Sequence, residues 1–175
     1  MPPPWRTHGT GYFEPQELGS LGDGVVLEAG VMVFNPAFVH LGNHVYVGHR
    51  AMLKGDTRNE LRVGDGSWIG QDCYFHSAGG IRIGRDVGIA PRAMILTSSH
   101  EDTQPPTPIM HGALELAPVE IGDGSDVGLG AILLPGTRLG AGVLVGAGAV
   151  VKGEFPDGVV LAGVPARVLR SRGDS

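Results

Sequence analysis

Residues 121–156 read IGDGSD VGLGAI LLPGTR LGAGVL VGAGAV VKGEFP, six hexapeptides laid end to end without an inserted residue. Each begins with an aliphatic residue, and the fifth place holds a small residue except in the last unit, where it holds Phe155. Counting back at the same spacing finds twelve more units, with first positions Leu21, Leu27, Val33, Leu41, Val47, Leu53, Val63, Ile69, Phe75, Ile83, Ile89 and Ile95. A period of six fits no helix face, because 3.6 residues per turn would spread these positions around the cylinder. It fits short strands separated by corners. Three hexapeptides make a triangular coil, and stacked coils pair through their backbones as a parallel β-helix. Strand alternation then points the fifth residue of one unit and the first of the next inward, and the sixth outward.

The coils run over residues 21–38, 41–58, 63–80, 83–100, 121–138 and 139–156, separated by two, four, two, twenty and no residues. Every insertion falls after a third hexapeptide, so one edge of the prism carries all the added chain. The second place of each coil's first unit is always Gly, whereas in the third unit it is Phe34, Lys54, His76, Leu96, Leu134 or Lys152. That corner carries side chains, and an edge that accepts insertions without disturbing the core is where function collects. The longest insertion, residues 101–120, holds four prolines and no hexapeptide period, and a loop of this length in a compact domain is a functional candidate. Residues 1–20 break the period and are expected to cap the open end with Trp5, Tyr12 and Phe13, because an uncapped end exposes strand edges. The expected organisation is one domain: cap 1–20, β-helix 21–156 with the protruding loop 101–120, and a C-terminal segment 157–175 too short and polar to read as a helix.

Composition agrees with such a fold. Thirty glycines in 175 residues suit a corner-rich chain, and the lack of Gly at every third place excludes collagen. A net charge of −5 gives no broad electrostatic case for nucleic acid. No stretch approaches the ~20 apolar residues of a membrane helix, and the start lacks a basic region leading into an apolar one, so the cytoplasm is the expected compartment. Cys73, the single cysteine, sits at an inward fifth place and reads as a buried structural thiol.

The run ILTSSHED at 95–102, the long loop after it, the repeats from Ile121 and the ending AGVPARV at 162–168 resemble the maltose, galactoside and nodulation O-acetyltransferase branch of the hexapeptide-repeat acyltransferases. The resemblance covers roughly residues 81–170. It implies an all-β fold, a left-handed parallel β-helix of about six coils, assembled as a homotrimer with sites between subunits. It also implies transfer of an acetyl group from acetyl-CoA to a hydroxyl of a sugar or other small metabolite, with no metal required.

In that family the His that begins the loop takes the proton of the attacking hydroxyl, and His100 matches it. The chemistry requires such a group: a hydroxyl is a poor nucleophile near neutral pH, and imidazole, with an unperturbed pKa near ~6.5, accepts its proton. Strand alternation points His100 outward, with Gly80 one coil below leaving room beside it. Glu101, Asp102 or a backbone carbonyl would orient the ring. His76, after Phe75, stands near the family's acceptor-binding Asn, and His111 lies in the loop; both are candidate acceptor contacts. His8, His40, His44 and His49 read as surface side chains. By the same resemblance, backbone groups around Leu129, Gly130 and Ala147 meet the pantetheine arm of CoA, and Arg167 and Arg170 meet its phosphates. Lys152 is the remaining phosphate candidate, but the family's Val-Thr-Lys stands here as Val151-Lys152-Gly153, with the cation moved by one place.

Two other readings stand beside this one. Residues 53–76 are similar to the γ-class carbonic anhydrases, which hold zinc through three His on the same fold. That family's ligands in the next coil fall here on Pro91 and Leu96, which bind no metal. The other alternative is a structural β-helix without catalysis.

Overall fold

The computed structural model describes residues 7–174; Trp5 lies outside them. The chain winds through three parallel sheets that form the faces of a triangular prism. The first sheet stacks Ser20–Leu21, Val39–Leu41, Leu61–Val63, Ile81–Ile83, Val119–Ile121, Arg138–Leu139 and Glu154–Phe155. The second stacks Val26–Leu27, Tyr46–Val47, Trp68–Ile69, Gly88–Ile89, Asp126–Val127, Leu144–Val145 and Val159–Gly163, and Ala166–Ser171 then folds back antiparallel on the last of these. The third stacks Met32–Phe34, Met52–Lys54, Tyr74–His76, Met94–Leu96, Ile132–Leu133 and Val150–Val151. The final segment, read from sequence only as not helical, is this closing β-hairpin.

The six-residue period survives stacking because each corner repeats the same backbone. The fourth place of the first unit adopts positive φ whether it is Gly24, Gly66 and Gly124 or His44 and Asp86. The second-place glycines have another cause: a Cβ on Gly64 would lie 2.5 Å from the Gly84 carbonyl oxygen of the next coil. Coils approach too closely at this second place for any side chain. The third place adds cross-links, as Asp65 and Asp123 accept hydrogen bonds from the amides of Asn43 and Arg85 at 2.7 and 2.8 Å.

First positions from Val33 onward are buried, with Phe75, Leu53, Ile69, Ile89, Ile95 and Leu133 at 0% exposure. Each such side chain contributes about 1.5–3 kcal/mol through burial. Leu21, in the terminal coil, stays 42% exposed. Polar fifth positions are satisfied within the stack: Ser67 donates to the Gly84 carbonyl at 2.9 Å and accepts from the Val87 amide at 3.1 Å. Cys73 is buried and points its thiol at the Ala90 carbonyl, 3.4 Å away.

The six-residue count loses phase at the third corner. Ala37, Thr57 and Ser99 are exposed and Gly79 is half-buried, so these fifth positions do not fill the core. Val39, Leu61, Ile81 and Val119 take their layer, all at 0% exposure. Alternation in the following strand runs back from its first position, as in Val39-His40-Leu41, and the extra residues lie inside the corner before that strand begins. Where nothing is inserted, Thr137 keeps the interior place.

At the open end the Gly11 carbonyl accepts the Val33 amide at 2.9 Å and Phe13 packs on the core, while Tyr12 is 78% exposed. No helix among the described residues is long and apolar enough to cross a membrane.

Candidate active site

The long insertion leaves the prism as an antiparallel hairpin. Ser98–His100 pairs with Leu114–Leu116, in the register Ser98 to Leu116, Ser99 to Glu115 and His100 to Leu114. The excursion thus opens before His100, and the chain rejoins the first sheet at Val119, which pairs with Ile81. This corrects the placing of Gly80 under His100. Gly80 accepts the Val119 amide at 3.0 Å and sits beside Pro118, the base of the hairpin, because the ladder follows the returning strand.

His100 is exposed on the hairpin, and its Nδ1 lies 3.2 Å from the carbonyl oxygen of Gly112. A carbonyl only accepts, so this bond holds the proton on Nδ1 and leaves Nε2 of the neutral ring as an acceptor. Gly112 was not foreseen, since a contact across twelve residues of loop leaves no trace in a six-residue period. The return arm is built to present that carbonyl: Ile109–His111 forms one 3-10 turn, closed by the Gly112 amide on the Ile109 carbonyl at 2.9 Å. His111 ends that turn, exposed, immediately before Gly112.

His76 lies half-buried on the outer face of the third sheet, in register with Lys54 on one side and Leu96 on the other. Burial pushes its pKa down, and the Lys54 cation adds to the shift. Burial also lowers the Lys54 pKa, against the pull of Asp56. The ring is therefore a neutral hydrogen-bonding group at neutral pH. Of the four His read as surface side chains, His40 is not one: its side chain is 15% exposed, with Nδ1 3.1 Å from Ser20 Oγ and Nε2 3.4 Å from Glu60 Oε1.

Leu129, Gly130 and Ala147 stack on the corner between the second and third sheets, across the third sheet from the hairpin. Gly130 donates its amide to Pro91 at 3.0 Å and Leu129 accepts from Gly148 at 2.8 Å, so those groups are spent between coils. The amides of Leu129 and Ala147 have no partner among the described residues. Lys152 is exposed at the third corner, on the hairpin's edge of the prism and in the last coil. Arg167 and Arg170 sit on the closing strand, exposed, with their guanidinium groups on nearby backbone carbonyls and, among the described residues, on no carboxylate. The chain therefore distributes the candidates over two edges and one end of the prism, and does not gather them. Among the described residues no group of three or more His, Cys, Asp or Glu side chains is gathered for a metal.

Comparison with known proteins bears on the fold and the family. A family model described as the hexapeptide repeat of succinyl-transferase matches residues 20–35 and 118–152. A probable acetyltransferase of Mycobacterium tuberculosis is 30% identical over 152 residues, which make up 87% of this chain and 49% of that protein. A protein of Escherichia coli K12 that bears the name of a lipopolysaccharide biosynthesis O-acetyl transferase is 30% identical over 143 residues, 78% of this chain and 73% of its own. The chain thus spans about half the length of the mycobacterial relative. Among solved structures, an N-acyltransferase from Bacillus cereus in complex with dTDP and 3-hydroxybutyryl-CoA superimposes with a TM-score of 0.80 at 22% identity, covering 90% of this chain and 85% of that one. That likeness gives the fold as a left-handed parallel β-helix. Repeat, coil geometry and relatives agree over most of the sequence, and the chain belongs to the hexapeptide-repeat acetyltransferase family.

Proposed function

We propose that the protein transfers an acetyl group from acetyl-CoA to a hydroxyl of a sugar or sugar-like metabolite, with His100 as general base. The observation that carries this reading is the Nδ1 bond to Gly112, which supports an unprotonated Nε2 on an accessible hairpin. Nε2 takes the proton of the acceptor hydroxyl as its oxygen bonds to the thioester carbonyl carbon. The carbon–sulfur bond then breaks, and the CoA sulfur leaves with its electron pair and receives the proton from the imidazolium. His76 and His111 contact the acceptor. Leu129, Gly130 and Ala147 border the pantetheine arm, and Arg167, Arg170 and Lys152 face the phosphates. The sugar-directed name of the Escherichia coli relative supports a hydroxyl acceptor.

In this reading the enzyme is a cytoplasmic homotrimer. Its support is geometric: the candidates lie on separate edges of one prism, and a neighbouring subunit would bring one edge to another. Ile109, Met110, Leu114 and Leu116 on the hairpin are 57, 52, 45 and 38% exposed, apolar surface that a neighbour would cover. Residues 7–20 act as the cap of each prism.

The test is incubation with acetyl-CoA and a panel of sugars, amino sugars and amino acids, reading free CoA thiol and locating the new acetyl group by NMR. Acetylation of a sugar hydroxyl is expected. Acetylation confined to amines, or turnover unchanged in His100→Ala, defeats the reading.

A further inference from the structure

A further recess among the described residues lies apart from the groups above. It opens at the third corner onto the first sheet, with a volume of about 530 Å³, between the turn at residues 57–60 and the hairpin base at Pro118. Gly79 and Gly80 form its floor. Both glycines are required by the fold: a Cβ on Gly79 would lie 2.5 Å from the Thr97 carbonyl oxygen, and Gly80 has φ +97°. The floor is therefore bare backbone between two walls that project past it.

The polar lining is charged. Arg58, Arg62 and Arg82 face the recess together with Glu60 and Glu120. Arg58 is held by both oxygens of Asp56 at 2.8 Å, and Arg62 by Glu60 at 2.6 Å. Arg82 is different: among the described residues its side chain makes neither an ion pair nor a hydrogen bond. It stands in register with Arg62 on one adjacent strand and with Glu120 on the other. Glu60 already holds Arg62 and Glu120 flanks Arg82, but among the described residues neither carboxylate pairs with the Arg82 guanidinium, which stays free to meet an oxyanion beside the remaining N–H donors of Arg62. This pair of guanidinium groups occurs in a chain whose net charge is −5, so general basicity does not account for it.

We infer that this recess is a second binding site, for a sugar-sized metabolite carrying a phosphate or carboxylate, with the anion on Arg82 and Arg62 and hydroxyl groups on Glu60 and Glu120. A guanidinium fork matches either oxyanion. The two carboxylates suit a ligand that also offers hydroxyl donors, and they disfavour one that is anionic over its whole surface. The site is independent of acyl transfer, since His76, His100, Leu129 and Ala147 do not line it.

Isothermal titration of the intact protein with glucose 6-phosphate, glucuronate, inorganic phosphate and glucose tests this. Binding of at least one of the two anionic sugars is expected, with neutral glucose much weaker, and the tighter of the two identifies the oxyanion. Arg82→Gln, at an exposed position, should weaken binding roughly tenfold or more, from loss of a charge-assisted contact. Arg82→Lys should fall between Gln and the natural residue. Arg138→Gln, on the same sheet outside the recess, and His100→Ala should bind like the natural protein. Absence of binding by every anionic probe at millimolar concentration overturns the inference. So does glucose binding as tightly as the anionic sugars, or Arg138→Gln losing as much as Arg82→Gln, which reduces the effect to general charge.

Discussion

The imidazole Nδ1 of His100 lies 3.2 Å from the carbonyl oxygen of Gly112, joining the outgoing arm of the hairpin to the end of the returning 3-10 turn. The bond fixes tautomer and ring direction together. Replacing His100 by Ala removes the proposed base and no core contact. Turnover should fall about 10²- to 10⁴-fold, the range for losing a general base, while circular dichroism and melting temperature stay unchanged. Near-natural turnover would move the base elsewhere, with His111 the first alternative.

Gly112 itself holds the imidazole of the proposed base. A Cβ there would meet the Glu101 carbonyl oxygen and the Thr103 methyl group, each at 2.8 Å, so Gly112→Ala must shift the arm that carries the orienting carbonyl. The expected result is a loss of roughly tenfold in kcat with KM for acetyl-CoA held, because misalignment acts on the reacting geometry. A change in KM alone would assign Gly112 to donor binding instead.

The hairpin should be dispensable for folding and required for turnover. Thr97 accepts the Ala117 amide at 3.1 Å, so the two ends of the excursion are already joined at its base. Replacing residues 98–116 with a short Gly-Ser bridge removes one antiparallel ladder and leaves the core coils paired. Such a variant should keep its β-sheet spectrum and cooperative melting while transfer collapses, since an exposed face without walls does not hold acceptor and thioester together. Full activity in it would make the hairpin ornamental.

Burial pushes the Cys73 thiol up to about 11 from its ordinary 9.0. Its neutral form is favoured in the fold, so the stability it contributes is complete below pH 9.0 and is lost as pH rises from there towards about 11. Melting temperature measured through this window should fall more steeply for the natural protein than for Cys73→Ala. Thiol reagent at pH 8 should leave the folded protein unlabelled and label it in denaturant, which also keeps a thiol-release assay for CoA free of background. Rapid labelling of the folded chain would contradict the buried placement.

Legibility in the sequence followed the range of the interactions. The coils were legible because each repeats one local conformation: an apolar first place, a tight second-place Gly and a corner. Phe75, Ile95 and Leu133 could be placed in the core by counting. The candidate base was legible too, since His100 stands where the period breaks. The aromatic pair Tyr46 and Trp68 shows the intermediate case: counting puts both on one outer face, and stacking sets their rings parallel at 5.4 Å.

What counting could not reach was decided at the third corner, where chain length varies and pairing is set by the returning strand. Only the folded chain puts Val119 opposite Ile81, replaces Thr57 and Ser99 in the core by Leu61 and Val119, and brings the Gly112 carbonyl to His100. It alone sets Arg82 beside Arg62 over a glycine floor. A six-residue period encodes what each coil does to the next. Contacts across an insertion depend on where the chain re-enters the stack, and that is fixed by long-range backbone pairing and packing at the corner.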